Sequence, residues 1–122
     1  MIKNSSQLLI DWPVLGKIVY YVESHRYYYL YKRKGPEKSR TDETYIFIHD
    51  NNFRHEDLLE LVKKLRPTDC TSKERDDIPE YDNGDVYKFK TEKFGEWIYL
   101  KIKVPDKYDS NQVIMSVHKW DE

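Results

Sequence analysis

The sequence lacks the features that mark several large classes of protein. It contains a single cysteine, Cys70, so no intramolecular disulfide can form, which suits a reducing compartment. No apolar run approaches the roughly 20 residues that a membrane-spanning helix requires. Asp11 interrupts the short apolar run Leu8–Ile10, and no basic segment leads into a longer one, so we expect no signal peptide. These absences predict a soluble, cytoplasmic protein without a membrane partner.

Glycine is also scarce, and its distribution excludes the phosphate-binding loops of nucleotide-dependent enzymes. The four glycines are scattered, so neither a Walker sequence nor a dinucleotide-binding fingerprint is present. Cys70 has no evident base partner, which argues against a thiol nucleophile. Four possible metal ligands lie close together in the sequence but match no established spacing: His49, Asp50, His55 and Glu56. We therefore expect neither a cofactor nor a metal site.

The sequence is rich in charge and in aromatic rings. Of the 122 residues, 35% are charged and 15% aromatic, and eleven are tyrosine, which argues against a disordered chain. The formal net charge is only −1, so any binding to nucleic acid must come from a local basic patch. The length and the lack of internal repeats predict one domain, residues 1–122.

Apolar residues at helical spacing predict two helices. The first spans about Trp12–Ser24, with Asp11 placed to cap it, and the second spans Phe53–Arg66. The first half also contains two β-prone runs, Tyr27–Tyr31 and Thr44–His49, which we expect to form a hairpin with a long loop. That loop carries a basic cluster, which can guide RNA or simply protect a strand edge. The cluster consists of Lys32, Arg33, Lys34, Lys38 and Arg40.

The C-terminal third predicts a meander of three strands after a polar loop at 67–84. The strands are Asp85–Lys90, Glu96–Val104 and Val113–Trp120. In the middle strand, a side-chain period of two separates an aliphatic face from an aromatic and cationic one. The first face holds Ile98, Leu100, Ile102 and Val104, and the second holds Trp97, Tyr99, Lys101 and Lys103. The second face suits single-stranded nucleic acid, because bases stack on rings and phosphates sit on lysines; a solvated face with snorkelling lysines is the alternative.

Residues of this region can also supply metal-free cleavage of RNA. Such a reaction uses the 2′-hydroxyl of the RNA as the nucleophile and needs a base, an acid and a cation. His118 lies on the last strand, and Tyr99 and Lys101 share a face of the strand before it. If the two strands pair antiparallel, the three side chains converge across a ladder about 5 Å wide.

Short sequence motifs in the second half of the chain occur in an order that is typical of one family. They are Leu58–Arg66 followed by Pro67–Cys70, then Gly84–Tyr87, Ile98–Val104 and Val113–His118. In this order they resemble the MqsR-type toxins, bacterial mRNA interferases of type II toxin–antitoxin systems that are related in fold to RelE. Three positions depart from the family. Cys70 replaces a tyrosine, Val117 replaces a phenylalanine, and Gly84 stands where some members carry a glutamine.

The resemblance implies an α+β fold of the RelE type, with an antiparallel sheet whose C-terminal three-stranded meander packs against two helices. It implies a metal-independent endoribonuclease that cleaves mRNA through the 2′-hydroxyl and has a cognate antitoxin protein as partner. By position, Tyr99 matches the family's active-site tyrosine, His118 its terminal basic residue and Lys101 a supporting cation. The residues expected to contact RNA are Lys73, Tyr87, Lys103, Lys32, Arg33 and Lys34.

Two alternative functions remain compatible with the sequence. The chain could be a catalytically silent RNA-binding or antitoxin-like module, in which His118 is dispensable. It could instead be a protein–protein adaptor, such as a phage or mobile-element protein, with the tyrosine-rich strand as its interface. An adaptor would show no salt-dependent affinity for RNA.

Overall fold

Three helices and five strands make up the part of the chain that the computed structural model describes, residues 8–30, 43–76, 83–106 and 112–120. The helices are α1 (Trp12–Glu23), α2 (Glu43–Asp50) and α3 (His55–Lys64), and a short 3-10 helix follows at Pro67–Asp69. The strands are β1 (Tyr27–Tyr29), β2 (Cys70–Asp76), β3 (Gly84–Lys93), β4 (Glu96–Pro105) and β5 (Val113–Lys119). The predicted α+β class is confirmed.

The five strands form one mixed sheet in the order β1-β5-β4-β3-β2. The pairs β2–β3, β3–β4 and β4–β5 are antiparallel, so the predicted meander is confirmed. At the other edge, β1 runs parallel to β5, with Tyr27 opposite Val113 and Tyr29 opposite Met115. The prediction of a purely antiparallel sheet is therefore wrong at this edge. A parallel pair needs a long connection, and the connection here contains α2, α3 and the other three strands.

The segment Thr44–His49, predicted as a strand, belongs to helix α2 instead. Thr44 and Phe47 are the buried residues of this helix, three positions apart, so its buried side follows a helical period. Tertiary contacts override the β propensity of the segment, because Phe47 packs in the core and Thr44 contacts the edge of β5. The predicted hairpin is therefore wrong, and three helices rather than two accompany the sheet in the described residues.

Residues 67–84, predicted as a polar loop, contain the edge strand β2. It pairs antiparallel with β3, with a register shift between Cys70 and Ser72. Its central residues Lys73, Glu74 and Arg75 are exposed, as is typical of an edge strand that charge protects from further pairing. Because such a strand buries little, it lacks the apolar alternation from which a strand is predicted.

Helices α1 and α3 supply the helical part of the core. Both helices are confirmed, and Asp11 caps α1 as expected, with its carboxylate accepting from the Val14 N–H at 3.2 Å. The fully buried side chains include Ile18, Tyr21, Leu58, Leu61, Phe89, Ile98, Leu100, Ile102 and Met115. The aliphatic face of β4 is thus the core face, and the alternate residues, Tyr99 among them, point to the other side of the sheet. No helix in the described ranges has the length and apolarity needed to cross a membrane.

Gly84 marks a close approach between β3 and β4. A Cβ atom at this position would lie 2.3 Å from the carbonyl oxygen of Val104, a backbone contact that no side-chain rotation can relieve. We therefore expect Gly84→Ala to lower the free energy of unfolding by about 1–3 kcal/mol, the usual range for overpacking. Chemical denaturation followed by tryptophan fluorescence measures the change.

Gly16→Ala is the matched control for this substitution. Gly16 is exposed within α1, and no atom lies within 4 Å of the position that its Cβ would take. Alanine there should raise the free energy of unfolding by about 0.5–1 kcal/mol, because glycine is entropically costly in a helix. A Gly84→Ala protein as stable as the wild type would contradict the close contact with Val104.

Candidate functional site

Tyr99 and His118 lie directly opposite each other on β4 and β5. Their ring centroids are 4.7 Å apart, and the ring planes are inclined at 36°. Both side chains are half-buried, on the sheet face that points away from the α1 and α3 core. The antiparallel pairing expected from the sequence therefore brings these two predicted site residues into contact.

Lys101 lies on the same face, two residues further along β4. It is opposite Ser116 on β5 and opposite Lys88 on β3. Lys90, which is opposite Tyr99 on β3, adds a third ammonium group to this face. We call Lys88, Lys90 and Lys101 the lysine strip. It gives a chain of nearly zero net charge a local concentration of positive charge.

Lys103 continues this face, but its charge is already balanced. The residue is buried, and its Nζ lies 3.1 Å from Oδ2 of Asp76 on the edge strand β2. Separating such a pair would leave a partly buried carboxylate without its partner, which is costly. Lys103 is expected from the sequence to contact RNA, whereas the structure ties it to Asp76.

Lys73 and Tyr87 lie on the opposite face of the sheet from Tyr99. They face each other across β2 and β3, with Lys73 Nζ 5.7 Å from the Tyr87 ring centroid, beside a hollow of about 350 Å³. Burial, and secondarily the charge of Asp85, raises the pKa of Tyr87 to about 12, so this hydroxyl stays protonated at neutral pH. The structure does not bring these two predicted RNA contacts to the Tyr99 face. The remaining predicted contacts, Lys32, Arg33 and Lys34, lie outside the described residues.

Two tryptophans extend the Tyr99–His118 pair along the same face. Trp120 lies 5.8 Å from Tyr99 between ring centroids, and Trp97 is 56% exposed. The Lys90 Nζ lies 5.1 Å from the Trp97 ring centroid and 4.9 Å from that of Trp120, within range of cation–π attraction. We call Trp97, Tyr99, His118 and Trp120 the aromatic patch. Sequence reasoning misses Lys90, because its place beside these rings follows only from the register of β3 on β4.

Glu43 is a second residue that sequence reasoning misses. It is the first residue of α2, and its Oε1 lies 3.7 Å from Nε2 of His118. This Oε1 atom is buried and has no hydrogen-bond partner among the residues that the structure describes. An acidic residue in the first turn of a helix is a common local signal, but nothing local connects residue 43 with residue 118.

Thr44 holds the start of α2 against β5. The Val117 N–H donates a hydrogen bond of 3.2 Å to Thr44 Oγ1 in a buried setting. Thr44 follows Glu43 in the chain, and Val117 precedes His118. The hydrogen bond between Thr44 and Val117 therefore holds the backbone next to Glu43 against the backbone next to His118. The position of the carboxylate is therefore built into the fold.

The His118 ring is oriented by its own strand. Its Nδ1 lies 2.8 Å from the carbonyl oxygen of Lys119. Because a carbonyl oxygen can only accept, Nδ1 must carry the proton, and the lone pair of the neutral ring is on Nε2. The nitrogen that can accept a proton is thus the one that faces Glu43.

A groove of about 460 Å³ lies beside His118, between α2 and the ends of β4 and β5. Ile46 and Phe47 give it an apolar part, and Glu43, Asp50 and Glu96 give it an acidic part. In the described ranges, no three His, Cys, Asp or Glu residues are arranged to hold a metal ion. The site accordingly offers proton transfer, ring stacking and binding of anions by lysine.

Thr44→Val keeps the shape of the side chain but removes the acceptor for the Val117 N–H. We expect the free energy of unfolding to fall by about 1–3 kcal/mol, because a buried donor is left without a partner. Thr44→Ser is the control, since it keeps the hydroxyl and loses only a methyl group. Urea denaturation compares the three proteins, and a valine variant as stable as the wild type would show that this bond does not anchor α2.

Comparisons with known proteins add no relative from which a role could be transferred. The chain matches no protein-family model, no curated protein and no solved structure. The resemblance to the MqsR-type toxins is therefore limited to short sequence motifs. The chemistry of the site follows from its own residues.

Proposed function

We propose that the chain is a metal-independent endoribonuclease that cleaves mRNA through the 2′-hydroxyl, the toxin of a type II toxin–antitoxin system. The observation that carries the proposal is the contact between Tyr99 and His118, two proton-transferring side chains placed opposite each other beside the lysine strip. In this proposal the sheet, with its closing meander, is a RelE-like form of the α+β class.

The reaction requires two proton transfers around one phosphate. The 2′-oxygen forms a bond to phosphorus while the bond from phosphorus to the 5′-oxygen breaks, leaving a 2′,3′-cyclic phosphate and a 5′-hydroxyl. A base takes the 2′ proton and an acid gives a proton to the 5′-oxygen, roles that fall to His118 and Tyr99. Negative charge builds up on the phosphate oxygens, and Lys101 on the same face is placed to stabilise it.

The aromatic patch and the lysine strip provide the means to hold single-stranded RNA. Exposed rings such as Trp97 accept bases by stacking, which is worth about 1–3 kcal/mol per base and tolerates any sequence. The ion pair between Lys88 and Glu74, 3.3 Å long and near the surface, contributes little and leaves the lysine able to turn to a phosphate. Because the net charge of the chain is only −1, RNA binding requires a local basic patch, and in this proposal the lysine strip is that patch.

A protein-interaction module is the second candidate function. It is favoured by the exposed apolar residues of α2, where Tyr45 is 48% and Ile46 is 52% exposed. Exposed aromatic and aliphatic residues of this kind are common in protein interfaces. The salt dependence of RNA affinity distinguishes the two functions. A nuclease should bind RNA with an affinity that falls steeply as salt rises, whereas an adaptor should not. A toxin would also carry a surface for its antitoxin, so α2 can serve the first function as well.

Induced expression in bacteria tests the nuclease. The wild type should arrest growth and produce new mRNA 5′ ends that cluster at a sequence motif. His118→Ala and Tyr99→Phe should each lower cleavage by roughly 10²–10⁴-fold, the usual contribution of a positioned acid or base. His49→Ala, an exposed histidine of α2, is the control and should behave like the wild type. Full activity of both site variants would overturn the assignment.

The chemistry of the RNA fragments tests the mechanism separately. Cleavage through the 2′-hydroxyl should leave 5′-hydroxyl ends that a kinase can label directly, and it should persist in EDTA. Replacing the 2′-hydroxyl at the cleaved position with hydrogen should abolish the reaction, because the nucleophile is gone. Fragments with 5′-phosphate ends would instead indicate attack by water and contradict the proposed roles of Tyr99 and His118.

A further inference from the structure

We propose that Glu43 is the positioning residue of His118: it stabilises the imidazolium that forms when Nε2 takes the proton of the 2′-hydroxyl. The proposal rests on the proposed ribonuclease function and deepens it. It assigns the base role to His118, which leaves the acid role to Tyr99.

The burial of one carboxylate oxygen of Glu43 decides how that oxygen can act. Its Oε1 lies 3.7 Å from His118 Nε2 but is itself buried. A substrate hydroxyl cannot reach a buried atom, so this oxygen does not take the proton itself. The distance exceeds that of a normal hydrogen bond, so the lone pair of Nε2 is not committed to a partner before the reaction. Glu43 therefore works through the charge of the ring.

The two nitrogens of His118 have different partners. Nδ1 donates to the Lys119 carbonyl oxygen at 2.8 Å, which leaves Nε2 as the basic atom. Once Nε2 is protonated, the charged ring lies 3.7 Å from the carboxylate oxygen of Glu43, within ion-pair distance. The Lys119 carbonyl oxygen orients the ring through Nδ1, and the nearby carboxylate of Glu43 stabilises the charged form that arises when Nε2 takes a proton.

Other charged groups surround His118, and they must be weighed against Glu43. Lys119 and Glu96 lie 3.5 Å apart, so their charges largely offset each other. Asp50 of α2 lines the same groove. Tyr99 contacts the His118 ring but brings no charge to it while its hydroxyl is protonated. Glu43 is the described carboxylate found within ion-pair distance of the His118 ring. It is therefore the carboxylate placed to pair with the charged form of that ring.

The proton balance then follows. His118 Nε2 takes the 2′ proton as the 2′-oxygen bonds to phosphorus, and the imidazolium is paired with Glu43. The Tyr99 hydroxyl gives its proton to the departing 5′-oxygen. The imidazolium then gives up its proton and the tyrosinate regains one, either directly or through solvent, which returns both residues to their starting forms.

Nuclear magnetic resonance of the folded protein tests the contact without any RNA. The ring proton signals of His118 are followed against pH in the wild type, in Glu43→Gln and in Asp50→Asn. We expect the His118 titration midpoint to move to lower pH in Glu43→Gln, because the carboxylate that favours the charged ring is lost. Asp50→Asn removes a carboxylate of the same groove without touching the ring and should leave the midpoint close to that of the wild type. Equal midpoints in the wild type and Glu43→Gln would overturn the proposal.

Cleavage kinetics test the role. In Glu43→Gln we expect kcat to fall about tenfold or more, a part of the roughly 10²–10⁴-fold contribution of a general base, with KM little changed. The rise of kcat with pH should also shift to lower pH, a change that a merely structural role would not produce. Unchanged kcat and an unshifted pH profile would overturn the proposal.

Together, the two experiments distinguish a failure of the proposed role of Glu43 from a failure of the proposed ribonuclease function. A midpoint that depends on Glu43 in a protein that leaves RNA intact would retain the contact and reject the nuclease. Cleavage that requires His118 but is indifferent to Glu43 would retain the nuclease and reject the role of Glu43.

Discussion

The structure depends on how β5 satisfies the hydrogen bonds of its outer edge. Its inner edge pairs with β4, but the outer edge is served by three different partners in turn. The Val113 N–H donates to the Arg26 carbonyl at 3.1 Å, the Met115 carbonyl accepts from the Leu30 N–H at 2.8 Å, and the Val117 N–H reaches Thr44. Buried backbone groups must all find partners, so a short β1 alone cannot complete this strand. Helix α2 takes over where β1 ends.

This constraint also creates the candidate site. Because Thr44 completes the edge of β5, the residue before it, Glu43, is brought to the residue after Val117, which is His118. On the other side of β5, the register with β4 places Tyr99 against the same ring. The His118 side chain on β5 thus lies next to a carboxylate from helix α2 and a phenol from strand β4. The packing of α2 and the chemistry of His118 are two consequences of a single backbone requirement.

The sequence predicts the features that follow from a period of two and a buried face. Ile98, Leu100 and Ile102 must be buried, so Tyr99 must point the other way, and the short-range meander then fixes the Tyr99–His118 pair. It does not predict the parallel pairing of β1 with β5, because those strands are far apart along the chain. It also misassigns the segment that begins at Thr44, since the contact that makes this segment helical is 73 residues away in sequence. Glu43 is missed for the same reason.

Under the proposed ribonuclease function, the distribution of charge on the site face constrains how RNA would lie on it. The groove beside His118 carries Glu43, Asp50 and Glu96, which repel phosphates, whereas the lysine strip attracts them. A backbone bound to this face would therefore run along the strip, with the scissile phosphate between Lys101 and His118. Bases would turn toward Trp97 and Trp120, whose rings flank Lys90. In that arrangement the buried Oε1 atom of Glu43 lies 3.7 Å from His118 Nε2, close enough to stabilise the charge of the ring without touching the RNA.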